Sequence, residues 1–321
     1  MTTPLITTPF TASSTADDVL AGVDLSGIRA IVTGASSGLG AETARALASA
    51  GAQVTLAVRN IAAGGHTAEA IARTTGHRPD VRHLDLASPS SVAEFTTAWD
   101  GPLHLLVNNA GVVTAGLERT SEGRELQLAT NHLGHHALAT GLHRALIAGA
   151  AEQGGARIVL LSSTAHMRAD IDLADIDFTR RDYDPQIAYA RSKTANSLFA
   201  VEATRRWAGD GIVANAVNPG GIATGLQRNF TPAQKASLDA AQAAGVFAYK
   251  TVQQGAATTI VAAIRPEFAH TGGHYLDDCQ EAYTVPNNAT LTDHPHGVKE
   301  WALNPNTARH LWSLSEKLLA G

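Results

Sequence analysis

From Arg29 onward the chain alternates short β-branched or aliphatic runs with longer Ala-rich stretches of helical periodicity. Ala30-Ile31-Val32-Thr33 reads as a strand, and a helix is expected over 40–50, closed by Gly51. Further strands are expected at 53–58, 81–84, 103–107, 157–161 and 212–217, with a last one at 274–276 after the Gly272-Gly273 turn. Helical patterns cover 61–74, 89–99, 121–149 and 186–208, and an amphipathic helix is expected at 306–319. Uninterrupted apolar strands separated by helices belong to a parallel sheet covered on both faces. Right-handed crossovers then predict a single-domain α/β fold, a doubly wound Rossmann-type parallel sheet with helices on both faces. Residues 1–24 read as an N-terminal arm and 25–321 as the domain, with a less regular substrate-loop and C-terminal region at 225–321.

Composition narrows the partners. Of 321 residues 44% are hydrophobic, enough for a large core, while only 17% are charged and the net charge is −5. A weakly acidic surface has no field to hold nucleic acid or an anionic membrane, so a small-molecule partner is expected. No run reaches the ~20 apolar residues of a membrane span, and the Thr/Ser-rich start has no apolar core of a secretory signal. The single cysteine, Cys279, excludes an internal disulfide and suits a reducing, cytoplasmic setting. It sits beside Asp277 and Asp278, whose charge is expected to suppress the thiolate. A homo-oligomer is compatible with the sequence.

Thr33-Gly34-Ala35-Ser36-Ser37-Gly38-Leu39-Gly40 follows the first strand and opens a helix. Glycines allow the tight turn and the close approach of a pyrophosphate, and the helix N-terminus offers free amides to it. The spacing of Gly34, Gly38 and Gly40 departs from G-x-G-x-x-G. The second strand ends in Ala57-Val58-Arg59-Asn60, without the acid that would accept from an NAD ribose. Arg59 suits the 2′-phosphate of NADP, which is the expected cofactor ahead of NAD.

Tyr189 and Lys193 lie four residues apart in an expected helix, hence on one face. A phenol of ordinary pKa about 10 is a poor base, and a neighbouring ammonium is expected to draw it toward neutrality. Strand four runs into Asn108-Asn109-Ala110-Gly111, strand five into Ser162-Ser163, and strand six into Asn218-Pro219-Gly220. All these residues gather at the carboxyl edge of the sheet, where such folds bind ligands.

Together the glycine turn, Asn108–Gly111, Asn131, Ser163, Tyr189 with Lys193, and Pro219-Gly220 resemble the short-chain dehydrogenase/reductase superfamily over roughly residues 25–280. Asn131-His132-Leu133-Gly134-His135, Lys250-Thr251, Gln254–Thr258, Gly272–Leu276 and Thr307–Trp312 are most similar to its retinol-dehydrogenase-like branch, which includes the WW-domain-containing oxidoreductase. The resemblance implies a hydride transfer between NADP(H) and an alcohol or carbonyl. It makes Tyr189 the general acid or base, with Lys193 lowering its pKa and holding the ribose. Ser163, rather than Ser162, would bond the substrate oxygen, and Asn131 would hold a relay water. For the cofactor it implies Gly34, Ser36, Ser37, Gly38, Leu39, Gly40 and Arg59. It adds Asp85 at the adenine edge, Asn109, Ala110 and Gly111 along the adenosine, Ile222 and Thr224 at the carboxamide, and Leu86, Pro219 and Gly220 as further cofactor contacts.

Other readings give way to this one. His132, His135 and His136 suggest a metal, yet no carboxylate or thiolate completes a ligand set, so packing is expected and no metal. His294 and His296 read as solvated, and Asp170, Asp172, Asp175 and Asp177 as a solvated acidic segment over the cleft. A catalytically silent nicotinamide sensor, or a non-redox epimerase or dehydratase of the same fold, are the alternatives. Residues 167–188 and 225–270 are expected to wall the substrate pocket, which suits a moderately apolar alcohol or carbonyl.

Overall fold

The computed structural model describes residues 4–223, 236, 242–243 and 248–320. Strands β1 (Arg29–Thr33), β2 (Gln53–Val58), β3 (Asp80–His83), β4 (Leu105–Asn108), β5 (Ala156–Leu161), β6 (Ile212–Asn218), β7 (Tyr275–Asp277) and β8 (Gln280–Glu281) form one sheet. Their order is β3-β2-β1-β4-β5-β6-β7-β8, parallel throughout except for β8, which pairs antiparallel with β7. The order reverses between β1 and β4, and a crevice opens there at the carboxyl edge. This is the doubly wound sheet expected from the sequence.

The strands are apolar on both sides because both faces are covered. One core packs Val32, Val54, Leu56 and Val107 against α1 (Ala16–Leu20), α2 (Gly38–Ser49) and a helix over Val252–Ile264. The other packs Ile31, Leu106, Ile158 and Leu160 against α4 (Pro89–Thr97) and the helices that follow β4 and β5. The remaining helix between β2 and β3 is α3 (Ile61–Thr75). Each is set by local chemistry. Asn60 and Ser88 accept amide hydrogens at the starts of α3 and α4, and Gly76 ends α3 in the left-handed conformation.

The stretch expected as one helix at 121–149 is broken. It begins with a single turn, α5 (Leu126–Leu128), capped by the Glu125 carboxylate. A π-helical turn follows at Ala129–Leu133, then α6 (Gly134–Gly141) and α7 (His143–Gln153). The wide turn accommodates one extra residue, and from it Asn131 reaches Val112 beyond the end of β4; helical periodicity alone carries no mark of it.

α8 (Pro185–Trp207) starts at an Asp184 cap with Pro185 in its first turn. It is buried over nearly all of 190–200, held between the sheet and a terminal helix, α10 (Pro305–Leu319), with α9 denoting Val252–Ile264. Trp312 of α10 stacks on Phe199 and meets Trp207 edge-on. A small pair, β9 (Thr284–Val285) and β10 (Val298–Lys299), lies outside the main sheet.

The N-terminal segment packs onto the domain. Val19 and Leu20 join the first core, the Ile6 amide donates to the Glu281 carboxylate at 2.8 Å, and Thr8 bonds the turn between β7 and β8.

Candidate active site

At the end of β1 the chain turns through Gly34 and Gly38, with φ of 66° and 58°. A Cβ on Gly34 would lie 2.8 Å from Ala110 Cα. One on Gly40 would lie 2.8 Å from Gly34 O and closer still to Asn109 Nδ2. Ser37 caps α2 by position, yet its side chain makes no capping hydrogen bond. The first-turn amides of α2 are therefore open toward the crevice, a cradle that suits a pyrophosphate. Gly40→Ala is expected to lower stability by about 1–3 kcal/mol and to weaken nicotinamide-nucleotide binding. Thermal unfolding and fluorescence titration measure the two effects.

Thr33 joins this turn to β4. Its Oγ1 accepts from the amides of Asn109 and Ala110, both at 2.9 Å, while Asn109 Nδ2 donates to Thr33 O at 2.7 Å. The Thr33 hydroxyl then needs an acceptor and finds His135 Nε2 at 2.8 Å. His135 Nδ1 donates to Asn131 O at 3.0 Å, so the network requires the neutral ring with its proton on Nδ1. Burial pushes the His135 pKa down to about 3. The histidine expected to pack does so as a hydrogen-bonded brace, a role its type and position left unmarked.

The crevice is a cleft of about 540 Å³. Among the residues expected to contact a cofactor, Gly34, Ser36, Ser37, Gly38, Leu39, Gly40, Arg59, Asp85, Leu86, Asn109, Ala110, Gly111, Tyr189, Lys193 and Pro219 line it. Gly220 and Ile222 are not part of its lining, and Thr224 falls outside the described residues. Ala57, Asn60, Leu84, Val112, Val113, Thr130, Leu161 and Ser162 also line it. Most of these neighbour motif residues in sequence; Thr130 is brought in by the π turn.

At the other end of the cleft Lys193, only 4% exposed, donates from Nζ to Leu161 O at 2.9 Å and lies 5.5 Å from the Tyr189 ring centre. A Cβ on Gly111 would stand 3.6 Å from that Nζ and 3.4 Å from Asn131 Oδ1, so Gly111 leaves the space between them. Asn131 Oδ1 accepts from the Val112 amide at 2.8 Å. Its Nδ2 donates to Val112 O and to Ser192 Oγ, at 3.1 and 3.0 Å. Both amide hydrogens are thus committed, and a second lone pair on Oδ1 is what this side chain retains for a water.

The two serines differ in their partners. Ser162 Oγ donates to Lys193 O at 2.9 Å, a bond that ties the end of β5 to α8. Ser163 stands beside the Tyr189 hydroxyl and draws its pKa down, while its own Oγ accepts from the Ala165 amide at 3.1 Å. The electrostatics differ from expectation. Burial pushes the Tyr189 pKa up to about 12, with only the neighbouring Ser163 hydroxyl pulling it down. Lys193 is itself pushed down to about 8 by burial, and its ammonium is directed at Leu161 O. The phenol is accordingly held in its protonated form.

Two further expectations are corrected. Asp175 and Asp177 are buried, not solvated: Asp175 accepts from the amides of Thr179 and Arg180, and Asp177 accepts from the Glu125 amide and Arg124, both at 2.9 Å. They fasten the segment beside the cleft. His296 is 56% exposed but paired with Asp277 at 2.9 Å, and Asp277, Asp278 and His296 bring ligand-type atoms within 4.8 Å of one another. Cys279 is buried, and burial, more than its acidic neighbours, raises its thiol to about 11.

A twisted parallel sheet, a glycine cradle at its switch point and a Tyr–Lys–Ser group at the far end define a nucleotide-linked oxidoreductase. The short chain dehydrogenase profile matches residues 29–235. A probable oxidoreductase of Streptomyces antibioticus is 47% identical over 296 residues, covering 90% of this chain and 97% of that one. The WW domain-containing oxidoreductase of Homo sapiens is 36% identical over 340 residues, 99% of this chain and 74% of that one. A solved structure of an uncharacterized protein from Mycobacterium paratuberculosis superposes with a TM-score of 0.71 at 31% identity, over 98% of each chain. The chain belongs to the short chain dehydrogenase family of oxidoreductases. No helix among the described residues is long and apolar enough to cross a membrane.

Proposed function

We propose that the protein is an NADP(H)-dependent reductase of carbonyl compounds, or dehydrogenase of the matching alcohols, with Tyr189 as its proton donor and acceptor and a cytoplasmic place of action. The observation that carries this is the meeting of Tyr189 and Lys193 in a cleft that also takes in the open N-terminus of α2, with Ser163 beside the phenol.

The residues fit the cofactor along its length. The amides of the Gly34–Gly40 turn would hold the pyrophosphate, Asp85 the adenine edge, and Lys193 the ribose beside the nicotinamide. Arg59 is exposed at the cleft rim with no carboxylate within ion-pair distance among the described residues, so its guanidinium is available to a 2′-phosphate. Bound there, the cofactor supplies or takes up the hydride.

The chain supplies orientation and the proton. Ser163 and the Tyr189 hydroxyl donate to the carbonyl oxygen as negative charge builds on it, and Tyr189 then gives up its proton to that oxygen. The buried Lys193 lies close enough to stabilise the phenolate left behind, and it is in turn held by Leu161 O. In the reverse direction Tyr189 takes the alcohol proton. Asn131 fixes Val112 and Ser192 around this group and leaves one lone pair for a water leading toward Lys193.

A screen of NADPH and NADH against ketones, aldehydes and secondary alcohols tests the reading. It expects turnover with NADPH at least tenfold more efficient than with NADH. A phenol held near 12 is protonated throughout the neutral range, so reduction is expected to be flat with pH there. Oxidation requires the phenolate and is expected to rise with pH over the same range. Tight binding of either nucleotide with no turnover of any compound favours the sensor reading.

A further inference from the structure

Behind the Pro219-Gly220 turn lies a chain of hydrogen bonds that the proposed mechanism does not use. Asn218 ends β6, fully buried, in register with Asp277 of β7. Its Nδ2 donates to Asp277 Oδ1 at 2.9 Å. A buried carboxylate only accepts, which settles the orientation of the amide: Oδ1 must face the other way. There it accepts from two backbone amides at once, Thr164 N and Gly220 N, both at 3.3 Å. Thr164 follows Ser163, and Gly220 follows Pro219, so one side-chain oxygen joins the turn that presents the substrate-binding serine to the turn that borders the nicotinamide end of the cleft.

The same chain reaches the surface. Asp277 Oδ2 pairs with His296 Nδ1 at 2.9 Å, and His296 also stands 3.4 Å from Asp278. Asp278 is ion-paired with Lys250, whose amide donates to Gly221 O at 2.8 Å and whose stem closes over Gly220. The charged groups facing His296 are therefore Asp277, Asp278 and, one step further, Lys250. Gly220 itself has φ of 88°, a left-handed conformation held from both sides by these contacts.

We propose that Asn218, backed by Asp277 and His296, is a positioning residue that sets the spacing between the Ser163-Thr164 turn and the Pro219-Gly220 turn, and that it couples the cleft to His296 at the surface. The proposal rests on the reading that Ser163 and Tyr189 act on a carbonyl beside a nicotinamide. Hydride transfer depends on sub-ångström placement of the two reactants, so loosening this tie is expected to affect the reaction more than binding. By linkage, a cofactor that orders the Gly220 turn must also be felt at His296.

The test uses the full chain with two readouts. Asn218→Ala is expected to lower kcat for carbonyl reduction by about tenfold or more, while Kd for NADPH changes less than about threefold. Asn218→Ser, which restores an acceptor oxygen, is expected to recover part of that loss. In the wild type, NADPH is expected to shift the His296 Cε1 proton resonance, assigned by its absence in His296→Gln; in Asn218→Ala that shift is expected to vanish. Wild-type kcat in Asn218→Ala overturns the proposal, as does a His296 resonance that ignores NADPH in the wild type or responds equally in the variant. A Tyr189→Phe control separates the two readings. Undiminished turnover there overturns the assigned chemistry, and the resonance shift then decides the coupling alone.

Discussion

Tyr189→Phe is expected to lower kcat for carbonyl reduction by about 10²–10⁴-fold while NADPH still binds. The substitution removes one oxygen and keeps the ring that packs in α8. It takes away the phenol beside Ser163, and with it the proton that the nascent alkoxide requires. Stopped mixing at the nicotinamide absorbance band, with fluorescence titration for binding, measures both quantities. A loss confined to KM would assign Tyr189 to substrate binding instead.

Lys193→Met is expected to do two opposed things. Activity falls by about 10²-fold or more, since the phenolate loses its cation and the ribose its anchor. Stability at neutral pH rises. Burial pushes the Lys193 pKa from its ordinary value near 10.5 down to about 8, so below pH 8 the folded protein carries a buried charge at a cost of roughly 3 kcal/mol. Between these two values the unfolded chain binds more protons than the folded one, and wild-type stability therefore rises with pH. The penalty is fully present below the folded value and is relieved as pH passes the unfolded one. Methionine fills a similar volume, and Leu161 O is not orphaned because Asn196 Nδ2 also donates to it at 2.9 Å. Denaturant unfolding at pH 7 and pH 10 is expected to show the variant's advantage at the lower pH and its decline at the higher one.

These two residues were legible because their spacing is local. Four positions on a helix place Tyr189 and Lys193 together whatever surrounds them, and the glycine turn between β1 and α2 is likewise contained in eight residues. The strands, and the doubly wound sheet they build, followed from apolar runs that both faces of the sheet require. What escaped the sequence depends on distant partners. The proximity of Lys193 was expected to lower the Tyr189 pKa, but the burial of both groups, a property of α8 between the sheet and α10, dominates. Asp175 and Asp177 carry charges that read as solvated until Thr179, Arg180, Arg124 and the Glu125 amide are brought to them. His135 becomes a brace only because Thr33, about a hundred residues earlier, has spent its own oxygen on two amides. The π turn at Ala129–Leu133 has no periodic signal at all, and it holds the Asn131 that bonds Val112.

The central claim is that this cleft passes a hydride from a nicotinamide to a carbonyl carbon, with Tyr189 completing the alcohol. It is tested most directly with NADPH deuterated at its transferring carbon, incubated with a mixed set of ketones and aldehydes and read by mass spectrometry. The account predicts alcohols carrying one deuterium on the carbinol carbon, formed by the wild type and not by Tyr189→Phe. Consumption of a carbonyl compound without deuterium in the product, or equal labelling by Tyr189→Phe, would contradict it.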